Sequence, residues 1–237
     1  MPRSSVSLVV AAGATAALVL VTGPVVRADG SDGPVGTSSA TAAPEPTSTV
    51  EPVDDQPDRG PAAPVIADYN GRRINLAESW EGATSCTELP NGVVNCYDTD
   101  QAAMDDPGLP AAVREEALAG LRARLPDRCL SDYWCLYRDA DYKGKILRFS
   151  SDGQKNLKDW GMGNALSSVY YRVVQWSLNY GDAKVTDWRS WPVEDRVRRL
   201  DAGYVGTPSR YPNFKALDYP GGGTWNDKVD VFEVRRG

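Results

Sequence analysis

Tyr137-Arg138-Asp139-Ala140-Asp141-Tyr142-Lys143-Gly144 has the form aromatic-x4-aromatic-x-Gly and stands between two strand-like runs, Tyr133 to Tyr137 and Lys145 to Phe149. Ser168 to Val173, Val174 to Tyr180 and Val229 to Val234 are further runs rich in β-branched and aromatic residues. From Cys129 onward aromatics crowd in, glycines punctuate, and helical periodicity disappears. Several short strands with turn signals between them predict a two-sheet antiparallel fold.

About twenty residues beyond Gly144 comes Gly163-Asn164-Ala165-Leu166-Ser167-Ser168, leading into a strand. A fainter copy, Trp225-Asn226-Asp227-Lys228-Val229-Asp230-Val231, again opens a strand, and Asn164 and Asp227 are 63 residues apart. The second copy has no clear aromatic-x4-aromatic-x-Gly element of its own.

Together these elements resemble the βγ-crystallin Greek key. In that family the paired aromatics pack a folded hairpin, and the glycine takes a conformation closed to other residues. The segment around Asn164 is similar to the family's calcium loop, two Asn/Asp, two variable residues, then Ser/Thr and Ser. Cys129-x5-Cys135-Leu-Tyr-x-Asp-Ala-Asp-Tyr, with Asn-Leu-x-x-Trp-Gly and Ser-Ser-Val-Tyr downstream, more narrowly resembles a secreted actinobacterial peptidase-inhibitor family of metalloproteinase-inhibitor type. The resemblance spans residues 129–235.

The fold implied is mainly β, a βγ-crystallin-like double Greek-key sandwich, preceded by a small α+β segment with one helix and a disulfide hairpin. The function implied is a secreted, non-enzymatic metalloprotease-inhibitor-like module whose partner is a secreted protease. The alternative is a calcium-binding structural or cell-envelope-associated module without inhibitory activity.

Calcium takes six to eight oxygens, and the resemblance makes Asn164, Ser167, Asn226, Asp227 and Asp230 its candidate ligands. There are departures: Gly163 replaces an acid or amide, Asp230 replaces Ser/Thr, and Val231 replaces the final Ser. The competing reading is that these Asn and Asp side chains cap backbone groups in ordinary turns. No reactive bond is matched, so the inhibitory loop is unknown. Leu89 to Gly92 and Pro208 to Pro220 are exposed-loop candidates, although an ordinary turn or surface loop is the favoured reading of each.

Upstream, Arg3, the 16-residue apolar stretch Val6 to Val21 and the Val26-Arg27-Ala28 cleavage pattern mark residues 1–28 as a signal peptide. The alternative is an uncleaved anchor, although the stretch is shorter than the roughly 20 residues a bilayer asks for. Residues 29–64 hold seven prolines and no aromatic, the composition of a disordered linker. That linker carries Asp29, Asp32, Glu45, Glu51, Asp54, Asp55 and Asp58 against the single base Arg59. From Val65 onward 23 basic residues face 25 acids, a net of −2, so the acidic pI says nothing about partners and nucleic-acid binding has no support. After signal cleavage no membrane association is expected, and the expected state is a secreted monomer.

Residues 65–128 read as the small α+β segment, and residues 129–237 as the βγ-crystallin-like domain. Within the segment, Pro90-Asn91-Gly92 is a three-residue hairpin loop that pairs Leu89 with Val93 and brings Cys86 opposite Cys96, within reach of a disulfide. Cys129 and Cys135 form the second local pair. Zinc is the weaker reading, because the spacings are wrong and the chain has no histidine. Pro110 to Leu125 reads as a helix, with Val113, Ala117, Leu121 and Leu125 on one stripe. The missing histidine also removes Ser-His-Asp, Cys-His and HExxH chemistry.

Overall fold

The computed structural model describes residues 63–122, 128–172, 182–201 and 207–235. The signal, nearly all of the linker and the expected Val174–Tyr180 strand lie outside these residues.

The small segment begins with β1 (Ile66–Tyr69) and β2 (Arg72–Asn75), antiparallel partners in which Tyr69 faces Arg72. Asn70 and Gly71 both have positive φ, the two-residue loop that matches strand twist. β3 (Ser85–Glu88) and β4 (Val94–Tyr97) form the expected hairpin. Leu89 N–H donates to the Val93 carbonyl at 2.8 Å, and Gly92 supplies the positive φ of +81°. Cys86 and Cys96 are opposite one another with Cα atoms 4.1 Å apart and are bonded, as are Cys129 and Cys135. In the chain-entropy account each closure stabilises the fold by about 2–3 kcal/mol.

Helix α1 (Asp100–Met104) is capped by the Thr99 hydroxyl, which accepts from Ala102 N–H at 3.2 Å. Its five residues are too few for a periodic signal, and sequence reading misses it. Helix α2 (Ala111–Arg122) follows Pro110 as expected, with Ala117 buried and Val113 packed beside it, while Leu125 and the side chain of Leu121 lie outside the described residues.

The Greek keys supply β5 (Trp134–Asp139), β6 (Lys143–Phe149), β7 (Gly153–Asn156), β8 (Ser168–Tyr171), β9 (Asp182–Asp187), β10 (Arg196–Leu200), β11 (Ser209–Tyr211) and β12 (Val231–Arg235). Eight strands form one sheet in the order β11-β8-β5-β6-β3-β4-β1-β2, and four form the other in the order β10-β9-β12-β7. A Greek key has the spatial order 4-1-2-3. The first key gives β8-β5-β6 and sends its third strand, β7, to the other sheet, beside β12. The second key gives β12-β9-β10 reversed and sends its third strand, β11, back beside β8. The result is a double Greek-key sandwich with exchanged third strands.

Between the sheets lies a core that includes Trp134, Phe149, Val185 and Phe232; Trp134 stacks on Tyr171 at 4.4 Å and meets Phe232 edge-on at 5.5 Å. The signature aromatics instead face outward from the large sheet. Tyr137 packs on Tyr142 at 5.4 Å, and Tyr142 on Tyr170 at the same distance. Gly144 has φ of +72°, which favours glycine, and a Cβ there, 2.5 Å from an Asp139 carboxylate oxygen, would push that side chain aside.

These tyrosines join a second core with Leu89, Met104, Leu109, Ala117, Leu130 and the Cys129–Cys135 disulfide. The small segment therefore covers the outer face of the first key. It also extends its sheet, because β3 runs parallel to the β6 edge. Between them lies Arg148, which is 0% exposed. Its guanidinium donates to Asp100 Oδ1 at 3.0 Å, to the Arg128 carbonyl at 2.9 Å and to Ser85 Oγ.

Asp100 keeps a second cationic partner in the Arg128 guanidinium, so truncating Arg148 chiefly strips hydrogen bonds from the buried Ser85 hydroxyl and the Arg128 carbonyl, at a cost of about 1–3 kcal/mol. Arg148→Ala is therefore expected to lower the unfolding free energy by about that amount in urea titration. Arg148→Lys, which keeps charge but loses the fork, should recover only part of it.

Candidate functional site

Where the two keys meet, the repeated loops lock across each other. Asn164 N–H donates to the Val229 carbonyl at 3.1 Å, and Asp227 N–H to the Leu166 carbonyl at 3.3 Å. Ser167 N–H donates to Tyr137 of β5 at 3.0 Å, and Asp230 N–H to Thr186 of β9 at 2.9 Å. Asn164 and Asp227, Leu166 and Val229, and Ser167 and Asp230 are each 63 residues apart. The offset read from sequence is thus the two-fold relation of the loops.

Side chains follow the same exchange. Ser167 Oγ donates to Asp227 Oδ1 at 3.3 Å, and Asn164 Nδ2 donates to Asp230 Oδ1 at 3.1 Å. Two half-sites result, each built from both loops, and the five expected ligand residues all lie in them. Beside the Ser167–Asp227 contact opens a pocket of about 560 Å³, lined also by Arg138, Asp139, Asn226 and Lys215.

Oxygen donors suited to a hard cation are present. Asn226 Oδ1 is buried without a hydrogen-bond partner, the kind of orphan acceptor that a cation satisfies. Its amide donates to Asp227 Oδ2 at 2.5 Å. No group of three or more His, Cys, Asp or Glu side chains gathers among the described residues. A bound calcium would therefore draw on amide, hydroxyl and backbone oxygens as well as carboxylates, and the residues present fit a low-charge site of that kind.

Asp230 has a further role that sequence reading does not reach. Its Oδ2 accepts the Trp188 N–H at 2.8 Å, at the root of the loop joining β9 to β10. Burial raises its pKa, and the neighbouring charge of Asp187 raises it further, against the lowering effect of the Trp188 and Asn164 hydrogen bonds. Asp187 is held by the Tyr219 hydroxyl.

The loop that Asp230 anchors is closed on itself. Arg189 N–H donates to Asp195 Oδ1 at 2.7 Å, and Val193 N–H to the Ser190 carbonyl at 3.0 Å. Residues 190–194 are exposed. Trp191 is 85% exposed, the most of any described large apolar side chain, and Val193 is 42% exposed beside it. The two loops expected from sequence differ from it. Leu89 is buried at 3%, leaving only the short Pro90-Asn91-Gly92 tip, and Pro208 to Pro220 carries β11 and a 3₁₀ turn (Phe214–Ala216) whose Phe214 is fully buried.

Residues 122–191 match the model of peptidase inhibitor family I36. The I36 match points to a non-enzymatic inhibitor, and its span runs from the end of α2 to Trp191. No curated protein matches the chain. Among solved structures, the N-terminal domain of protein S is similar at 15% identity, covering 44% of this chain and 96% of its own, with a TM-score of 0.28. Spherulin 3a from Physarum polycephalum is similar at 13% identity, covering 45% of this chain and 84% of its own, with a TM-score of 0.29.

A carboxyl whose folded pKa is raised contributes stability while protonated and loses it as pH rises through that pKa. Asp230→Asn removes this titration and keeps one oxygen for the Trp188 N–H. In chelator, the melting temperature of Asp230→Asn relative to the unsubstituted protein should therefore rise between pH 3 and pH 7. A flat difference across that range would show that Asp230 carries no such cost.

Proposed function

We propose that this protein is a secreted inhibitor of an extracellular metallopeptidase and that the loop from Trp188 to Asp195 enters the peptidase cleft. The observation that carries this reading is an exposed tryptophan on a loop held at its root by Asp230 and across its neck by Asp195. A loop already held in its bound shape loses little conformational freedom on docking, which favours affinity. Trp is among the side chains most often found as binding anchors. The two disulfides and the family match fit an extracellular setting. Inhibition here is occlusion by a monomer, with no covalent step.

Calcium binding is a second reading, favoured by the paired half-sites and the orphaned Asn226 Oδ1. Asn164, Ser167, Asn226, Asp227 and Asp230 would hold the ion, which would tie the two keys together where their loops already cross.

Against a panel of secreted metallo- and serine peptidases, the mature protein should inhibit at least one metallopeptidase. Trp191→Ala should weaken that inhibition by about thirtyfold or more, equivalent to about 2 kcal/mol, with an unchanged melting temperature. Slow cleavage of the protein without a tight complex would sink the reading. Separately, millimolar calcium should raise the melting temperature by a few degrees through preferential binding to the folded state, and Asp227→Asn should reduce that shift.

A further inference from the structure

We infer that Arg138 and Lys215 are unpaired counter-charges facing the Ser167–Asp227 half-site, so that calcium enters this pocket only against two positive charges. The inference rests on the calcium reading and specifies how strong that site is.

The pocket brings together two chain segments that the calcium-loop pattern does not contain. Arg138 is the next-to-last residue of β5, just before the tip of the β5–β6 hairpin, and Lys215 lies in the 3₁₀ turn Phe214–Ala216 after β11. Both side chains are exposed, and neither makes an ion pair among the described residues. Their charges are therefore not spent on a carboxylate contact elsewhere. The Arg138 charge reaches its surroundings: the Lys145 ammonium is destabilised first by burial and then by Arg138.

The backbone keeps both cations at the pocket mouth. Asp141 N–H donates to the Pro212 carbonyl at 2.7 Å, and Phe214 N–H to the Ser167 carbonyl at 2.8 Å. The first of these contacts ties the β5–β6 hairpin to the segment leading into the 3₁₀ turn, and the second ties that turn to the calcium loop. Arg138 and Lys215 consequently face the same cavity as Asp227 and Asp139. A divalent ion across a solvent-filled pocket from one unit charge loses about three- to tenfold in affinity, and salt screens the effect.

The test is calorimetric titration of the mature protein with calcium chloride alone, at low and at near-physiological ionic strength. Arg138→Gln and Lys215→Gln should each tighten binding about three- to tenfold, and the double variant more. Removing the two repulsive charges should also make affinity fall more steeply with added salt, a signature that a change in folding would not produce. Melting temperature in chelator should be the same in all of these proteins, because neither side chain is packed or paired. Calcium binding that is equally strong in every variant would overturn the counter-ion inference and leave the calcium reading standing. No binding heat in the unsubstituted protein and in the double variant would overturn both.

Discussion

Each Greek key gives its third strand to the other key's sheet, and the rest of the molecule follows from that exchange. β7 has a partner only because β12 lies beside it, and β11 only because β8 does. Neither key completes its hydrogen bonding alone, because its third strand finds a ladder only in the other key's sheet. The chain makes two excursions to the opposite sheet, each crossing out and back, and the two loops that lead back from them meet. Their crossed backbone bonds, Asn164 to Val229 and Asp227 to Leu166, are the seam of the sandwich. The candidate ligand oxygens lie on that seam because the strand exchange puts them there.

The small segment before the keys decides which surfaces remain open. Its parallel strand β3 closes the β6 edge, and its helices cover the tyrosine face that the aromatic signature creates. Arg148 makes this union selective, since its buried charge needs Asp100 and the Arg128 carbonyl from upstream chain. Trp80 reaches further, donating its indole N–H to the Trp160 carbonyl at 2.9 Å. Gly161 follows with φ of +66°, and any Cβ there would collide with the Leu76 carbonyl. The loop that bears Asn164 is thus held from the small segment as well as from the second key. With one face and one edge occupied, the β9–β10 tip carries the most exposed large apolar side chain among the described residues.

Asp230 links the two candidate activities. One of its oxygens meets Asn164 across the seam and the other meets Trp188 N–H at the root of the exposed loop. A carboxylate in this position transmits the geometry of the seam to the tip that carries Trp191. The root of the loop is thus held by Asp230, more than thirty positions downstream, while its neck is closed by Asp195 within the loop itself.

Local chemistry made much of this protein legible from its sequence. Pro90-Asn91-Gly92 set the hairpin register and with it the Cys86–Cys96 bond, because turn geometry alone dictates which residues face each other. The aromatic-x4-aromatic-x-Gly element marked the folded hairpin, since glycine adopts the positive φ at Gly144 without strain, and the 63-residue offset marked the two facing loops. β7, β9 and β11 were not legible: Gly153-Gln154-Lys155-Asn156 has no strand pattern of its own and is extended only because β12 pairs with it. Trp191, too, reads in sequence like any other core aromatic. Its exposure, and the pairing of Arg138 and Lys215 around one pocket, were decided only by tertiary structure, because they depend on which distant segments the exchanged strands bring side by side.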